Sequence, residues 1–253
     1  MPHLTSPDDA ARLLIEARRS QRPTPAPTLA DSANAYAAQQ SVARMLAWFA
    51  DGPPRHWKSG GPSRTALQTH APLPPKGVWR SPAHAADWPF RLRSIEAEIA
   101  LRLGRPVDAA LAERLDVDSA SALVDAMCVS IEIVDSRWAE GFDAPPLAKL
   151  ADLQSHGALV LGEWRPFEAR DWSAQTCRVC IGARPPVERR GSHTMGDPAF
   201  VLPAWLRHAT ADGTTLAAGT VVTTGTWCGL LEAQAGDAID VEFDGIGRAS
   251  VQL

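Results

Sequence analysis

Three glutamates carry the chemistry that the residue types and spacing of this sequence offer. In "RLRSIEAEIALRLG", residues 91–104, apolar Ile95, Ala97, Ile99, Leu101 and Leu103 alternate with Glu96, Glu98, Ala100 and Arg102. A period of two predicts a strand, whose residues i and i+2 share a face about 6.5–7 Å apart, so Glu96 and Glu98 converge beyond one side of a sheet. A solvated strand face is the plainer interpretation of such a pair. Glu132 argues against it, because it interrupts the apolar run "AMCVSIEIVDSRW", which reads as a strand buried on both faces. An ionised carboxylate buried there without a partner is costly, so a cation has to stand beside it.

Three carboxylates on neighbouring strands repel one another unless a divalent cation lies between them. An all-oxygen set selects a hard ion, Mg²⁺ or Mn²⁺, over zinc. Arg137 is the ordinary ion-pair partner in this segment, and it shares an alternation with Asp135. If those two pair with each other, Glu132 is free to face Glu96 and Glu98. Spacing alone leaves Asp135 a rival for the third position.

These side chains need a sheet to hold them. From residue 55 onward the chain breaks into short strand-like runs between Gly and Pro: "RHWKSG", "RSIEAEIALRLG", "MCVSIEIVDS", "GALVLGEW", "TCRVCIG", "GTVVTTGTW", "DAIDVEF" and "RASVQL". Helices are expected at about 117–127 and 197–211. Strands that outnumber helices without alternating regularly with them predict an α+β domain built on a mixed, curled β-sheet roll with helices packed on it. Ahead of it lies an N-terminal helical appendage over residues 1–54, leaving 55–253 as the catalytic domain. Its helices are "DDAARLLIEARRS" and "DSANAYAAQQSVARMLAWFA", the second capped by Asp31. The connector "QRPTPAPTLA" is extended and too short for a flexible linker, so the first helix packs on the rest.

Composition removes several classes of function. With 253 residues and 45% hydrophobic content the chain can bury a sizeable core. A net charge of −4 provides no basic stripe for nucleic acid. No segment suits a membrane span, the N-terminus lacks the pattern of a signal peptide, and a cytoplasmic location is the expectation. GxGxxG, P-loop and nucleophile-elbow patterns are absent. Cys177 and Cys180 form a CxxC, but on a strand residues three apart point to opposite faces, so they read as structural thiols.

Several segments together resemble the 2-keto-4-pentenoate hydratase and 4-oxalocrotonate decarboxylase branch of the fumarylacetoacetate hydrolase family. "IEAEIALRLGRPV" resembles that family's Glu-x-Glu metal strand, and "IEIVDSRW" the strand that gives the third carboxylate. "DLQSHGALVLG" matches the loop and strand that follow, and "HWKSG" sits where the family places a lysine. "LAAGTVVTTGTWCGLLEAQAGDAIDVEFDGIGRASV" is similar to its C-terminal end. The resemblance implies Glu96, Glu98 and Glu132 as metal ligands, so it favours Glu132 over Asp135. It implies Lys58 as a catalytic group, Ser155 on the substrate-side loop and Thr226 in a turn lining the same cavity. The sequence also departs from the family. Lys58 is followed by "SGGPSR" where an aliphatic residue, Gly and "LTS"-like residues are usual, and Asp152-Leu153-Gln154-Ser155 replaces Asp-Asn-Ala-Ser. The stretch "THAPLPPKGVWRSPAHAADWPF" also differs from the family's usual approach to its metal strand.

By resemblance the chain is a hydro-lyase: a 2-hydroxy-2,4-dienoate held as its metal-chelated enolate ketonises and takes up water, giving a 4-hydroxy-2-oxo acid. Decarboxylation of an oxalocrotonate uses the same enolate and is the alternative. Acylpyruvate hydrolysis comes third, because it needs a water-activating His–Glu pair, and His156 in "QSHGA" shows no partner in the sequence. A non-catalytic family member bound to a 2-oxo acid is the remaining interpretation. The family likeness further implies a homo-oligomer, or a complex with a partner enzyme of the same pathway.

Overall fold

The computed structural model describes residues 4–253. The first three residues of the expected N-terminal region lie outside that range. Helix α1 spans Pro7–Ser20, with the Ser6 side chain accepting from the Asp9 N–H. Acidic Asp8 and Asp9 open it and basic Arg18 and Arg19 close it, as the helix dipole favours. Helix α2 spans Ser32–Met45, capped by Asp31 as its sequence predicts. It stops short of the apolar pattern's end at residue 50, and Ala47 beyond it has a positive φ of 50°.

The strands then follow in chain order: β1 (His56–Gly60), β2 (Thr69–Pro72), β3 (Val78–Arg80), β4 (Ala83–His84) and β5 (Ser94–Leu103). Short helices α3 (Ala109–Ala112) and α4 (Val117–Ser121) lead into β6 (Val124–Val134). Helix α5 (Pro146–Ala151) precedes β7 (His156–Leu161), β8 (Arg165–Pro166), β9 (Thr176–Ile181) and β10 (Val187–Arg190). After α6 (Leu202–Thr210) come β11 (Val221–Thr223), β12 (Leu231–Glu232), β13 (Ala238–Phe243) and β14 (Gly247–Gln252). The helix expected over 117–127 is therefore half strand. Residues from Val124 pair with β5, and Asp125 takes a forked pair of hydrogen bonds from Arg102, both 2.9 Å. Cross-strand pairing overrides the local helical pattern there.

Two sheets result. The larger has the order β2-β1-β11-β5-β6-β7-β3, with β12 beside β5 and β8 beside β6; the smaller runs β10-β9-β13-β14-β4. Mixed directions, parallel at β1/β11 and β3/β7 and antiparallel at β5/β6, make the expected curled α+β architecture. Ile95, Ala97, Ile99 and Leu101 of β5 join Val129, Ile131 and Ile133 of β6 in the main core with Val179, Val241 and Phe243 of the smaller sheet. Because side chains alternate, the opposite face of β5 and β6 carries Glu96, Glu98, Ser130 and Glu132. Helices α1 and α2 form a separate cluster with Trp138, Ala148 and Leu150 around α5, so the appendage is clamped onto the roll. On β9 Cys177 is buried, Cys180 is half-buried, and both are free thiols.

Candidate active site

Antiparallel pairing of β5 and β6 sets Glu96 directly opposite Glu132 and Glu98 opposite Ser130. Carboxylate oxygens of Glu96, Glu98 and Glu132 lie within 4.8 Å of one another. Like charges this close are unfavourable in a sheet, and Glu98 and Glu132 are buried while Glu96 is partly buried. Burial first, then mutual repulsion, pushes the Glu96 carboxyl up to about 8 and that of Glu98 to about 7. Burial also acts on Glu132, but Lys58 and His156 outweigh it and hold this carboxyl below its ordinary value.

Lys58 reaches the cluster from β1, with β11 and β5 between it and Glu132. In a flat sheet three strand spacings of about 4.8 Å each would separate the two residues. Curling closes that gap: Lys58 Nζ donates to Glu132 Oε1 at 2.6 Å and to the Gln154 carbonyl at 3.3 Å. Burial lowers the affinity of this amine for its proton, but Glu132, Glu96 and Glu98 outweigh that, and the net shift is upward. Lys58 Nζ thus stands as a buried donor to the cluster. Arg137, the ordinary partner in the sequence reading, does not bond to Glu132. It pairs instead with Asp152, Nε to Oδ1 at 2.7 Å, and lies 3.6 Å from Asp135.

Asp135 is not part of the carboxylate cluster. Its carboxylate accepts from the backbone N–H of Leu92 at 2.8 Å and of Ser136 at 2.9 Å, a structural task. His156 takes the place beside Glu132, its Nδ1 at 2.8 Å from Oε1. An ionised Glu132 is acceptor-only, so Nδ1 carries the hydrogen, and burial keeps the ring neutral with Nε2 unprotonated. The partner that the sequence did not reveal comes from a register shift in β7. Val134 pairs with His156 and Ile133 with Ala158, so Gly157 is the extra residue of a bulge. A Cβ on Gly157 would lie 2.6 Å from the Ile133 carbonyl, so only glycine fits the bulge that aims His156 at Glu132.

Ser155 lies in a backbone of unusual shape. Leu153, Gln154 and Ser155 have φ of 52°, 54° and 60°, a left-handed turn of three side-chain-bearing residues. Such a conformation costs roughly 1–2 kcal/mol per residue. Asp152, fully buried, anchors it by accepting from Arg137 N at 2.9 Å, Arg137 Nε at 2.7 Å and Arg18 at 3.1 Å. The turn points the Gln154 carbonyl at Lys58 and leaves the Ser155 hydroxyl buried with no partner. The Thr226 hydroxyl donates to the Gly229 carbonyl at 3.0 Å within its own turn. Thr223 reaches the cluster. Its hydroxyl donates to Glu98 and lies 3.0 Å from Ser130 Oγ, while the Gly225 N–H also donates to Glu98 at 3.0 Å.

The residues present suit a hard divalent cation. Glu132 Oε2 is buried with no hydrogen-bond partner, two neighbouring carboxyls are forced toward their neutral form, and every donor atom is oxygen. Ser155 Oγ and His156 Nε2 are likewise buried and unpartnered. Unmet polar groups in a native interior call for a ligand.

The chain resembles known proteins over nearly its whole length. It is 30% identical over 258 residues to 2-keto-4-pentenoate hydratase 1 of Dechloromonas aromatica, covering 96% of this chain and 95% of that one. Its fold matches 4-oxalocrotonate decarboxylase from Pseudomonas putida G7 complexed with magnesium and adipate, at a TM-score of 0.83, 19% identity and 99% of both chains. The same decarboxylase complexed with calcium and acetate matches at 0.81 and 19% identity, over 100% of this chain and 99% of that one. The fumarylacetoacetate (FAA) hydrolase C-terminal family matches residues 52–253. That span holds all of the carboxylates, Lys58 and His156, and the chain belongs to the fumarylacetoacetate hydrolase family.

Proposed function

We propose that this protein is a divalent-metal-dependent hydro-lyase that adds water to a 2-hydroxy-2,4-dienoate, with Glu96, Glu98 and Glu132 holding Mg²⁺ or Mn²⁺. The observation that carries this is the convergence of the three carboxylates with a buried ammonium bonded to one of them. The curated relative at 30% identity is a hydratase, and the magnesium and calcium complexes of the fold neighbour support a divalent ion. A bound ion supplies Lewis-acid stabilisation of negative charge growing on the substrate's 2-oxygen. Lys58, held as a cation by its three carboxylate neighbours, binds the anionic end of the substrate or delivers a proton from Nζ as the dienol becomes the 2-oxo-3-enoate. The Ser155 hydroxyl contributes a hydrogen bond to the substrate, and the burial of Lys58, Glu98, Glu132 and His156 limits bulk water around them. His156, with Nδ1 fixed on Glu132, offers Nε2 as acceptor for the water hydrogen while oxygen bonds to C4. Water then ends as hydroxyl on C4 and hydrogen on C3.

Hydrolysis of an acylpyruvate is the second reading, favoured by the His156–Glu132 pair at 2.8 Å. Freshly generated 2-hydroxypenta-2,4-dienoate, an oxalocrotonate and an acylpyruvate, each with the protein and Mg²⁺, separate the possibilities. Dienol absorbance lost to a 4-hydroxy-2-oxo acid without CO₂ supports the hydratase. CO₂ release makes it a decarboxylase, and pyruvate released only from the acylpyruvate makes it a hydrolase. Divalent-ion binding without any turnover leaves a non-catalytic member. Assembly as a homo-oligomer belongs to the same proposal, and light scattering of the purified chain checks it.

A further inference from the structure

Between the N-terminal helices and the roll lies a cavity of about 500 Å³ that neither Lys58 nor any of the three glutamates lines. Its volume falls within the roughly 300–1,000 Å³ of small-molecule sites, which favour seams between structural units. Arg18, Arg22, Lys76, Arg91 and Arg137 line it, against Asp51 and Asp135. That is a cationic enclosure in a chain of net charge −4.

The acids nearby cancel only part of this charge. Asp152 pairs with Arg18 and Arg137, and Asp135, which accepts from backbone N–H groups, lies 3.6 Å from Arg137, so Arg22, Lys76 and Arg91 remain against Asp51. Arg91 donates to the carbonyls of Ser136 at 3.1 Å and Trp138 at 2.8 Å, which orients its guanidinium without neutralising it. Arg22 and Lys76 are exposed and make no ion pair among the described residues. Two of the lining residues also carry buried nitrogens with no partner: Arg18 Nε and His156 Nε2, the His156 ring being 98% buried by its 2% exposure. Trp48 and Trp88 supply flat apolar walls, with the Arg18 guanidinium 5.3 Å over the Trp48 ring.

We infer that this cavity is a second binding site, for a small conjugated organic anion, adjoining the carboxylate centre through His156. The charge selects the anion and the two indoles select a flat, unsaturated body. Inorganic phosphate would leave the indoles unused, and a neutral aromatic would leave the cations unanswered. The inference stands on the cavity alone and does not depend on the proposed reaction.

Muconate is a suitable probe: it is a conjugated dianion without the 2-oxo group of the proposed substrates. Isothermal titration of the full chain without added metal should show saturable muconate binding, stronger than that of the monoanion sorbate and far stronger than that of sorbyl alcohol. Arg22→Glu/Lys76→Glu, at two exposed positions, should weaken muconate about tenfold or more, and Trp88→Leu should weaken muconate and sorbate alike. Glu96→Gln should leave muconate affinity unchanged. Absence of saturable binding, equal affinity in the Arg22→Glu/Lys76→Glu protein, or binding lost in Glu96→Gln would each overturn the inference. Where the chain turns over a dienoate, muconate should lower kcat without displacing the substrate, and purely competitive inhibition would overturn the inference.

Discussion

Glu132 Oε1 accepts from Lys58 and from His156, which leaves Oε2 buried and free of hydrogen-bond partners beside Glu96 and Glu98. Lys58→Met keeps the stem and removes the charge. It should abolish turnover while holding Mn²⁺ affinity, followed by electron paramagnetic resonance, within a few-fold of the parent; undiminished turnover would remove Lys58 from the mechanism. The raised carboxyls of Glu96 and Glu98 predict a pH dependence of the metal-free fold. Their ordinary value is 4.5, against about 8 and about 7 in the folded chain. The folded state thus binds more protons than the unfolded one across that interval, and stability falls as pH rises through it. Buried His70, His156 and His193 have lowered values and act oppositely, but their contribution is complete once an unfolded histidine is neutral, near pH 7. Metal-free Tm should therefore fall between pH 7 and 9, and excess Mg²⁺ should raise Tm more at pH 8.5 than at pH 7. A Glu96→Gln protein should lose most of that fall; scanning fluorimetry giving an equally steep fall in both proteins would contradict the assignment.

Strands β5 and β6 were legible because each has one sided chemistry: period-two alternation around Glu96 and Glu98, and a single acid in an apolar run. Strand β7 was legible from Gly157 onward in "GALVLGEW", but the role of His156 at its start was not, since the bulge at Gly157 breaks the alternation and turns His156 to the face of Glu132. An isolated glycine beside a histidine, in "SHGA", was the available signal. Lys58 found its partner through curvature, which no local pattern encodes. Thr223 was not legible because only the three-dimensional turn decides which threonine of "TTGT" faces Glu98. Gly157→Ala tests the bulge: its Cβ would overlap the Ile133 carbonyl, and a shifted β7 should lower stability by about 1–3 kcal/mol in urea unfolding. Turnover should fall beyond what the remaining folded fraction explains, because His156 loses its aim.

Across the whole molecule, the buried Asp152 carboxylate ties three regions: α1 through Arg18, the end of β6 through Arg137, and the left-handed turn that presents Gln154 to Lys58. Asp152→Ala leaves two arginines without their counter-charge, and a loss of about 3–5 kcal/mol is expected in urea unfolding. A stability change under 1 kcal/mol would show the anchor to be dispensable. Asp152 thus adds a charged tie to the apolar packing of the helical cap on the roll, and its neighbours Leu153 and Gln154 depart from the family's usual loop. That anchor sets a rule for recombination among relatives. A chimera that exchanges the first fifty residues should keep the loop beside Lys58 in place best where the donor segment brings a cation to the position of Arg18, so a crossover at the boundary where the family match begins carries that requirement.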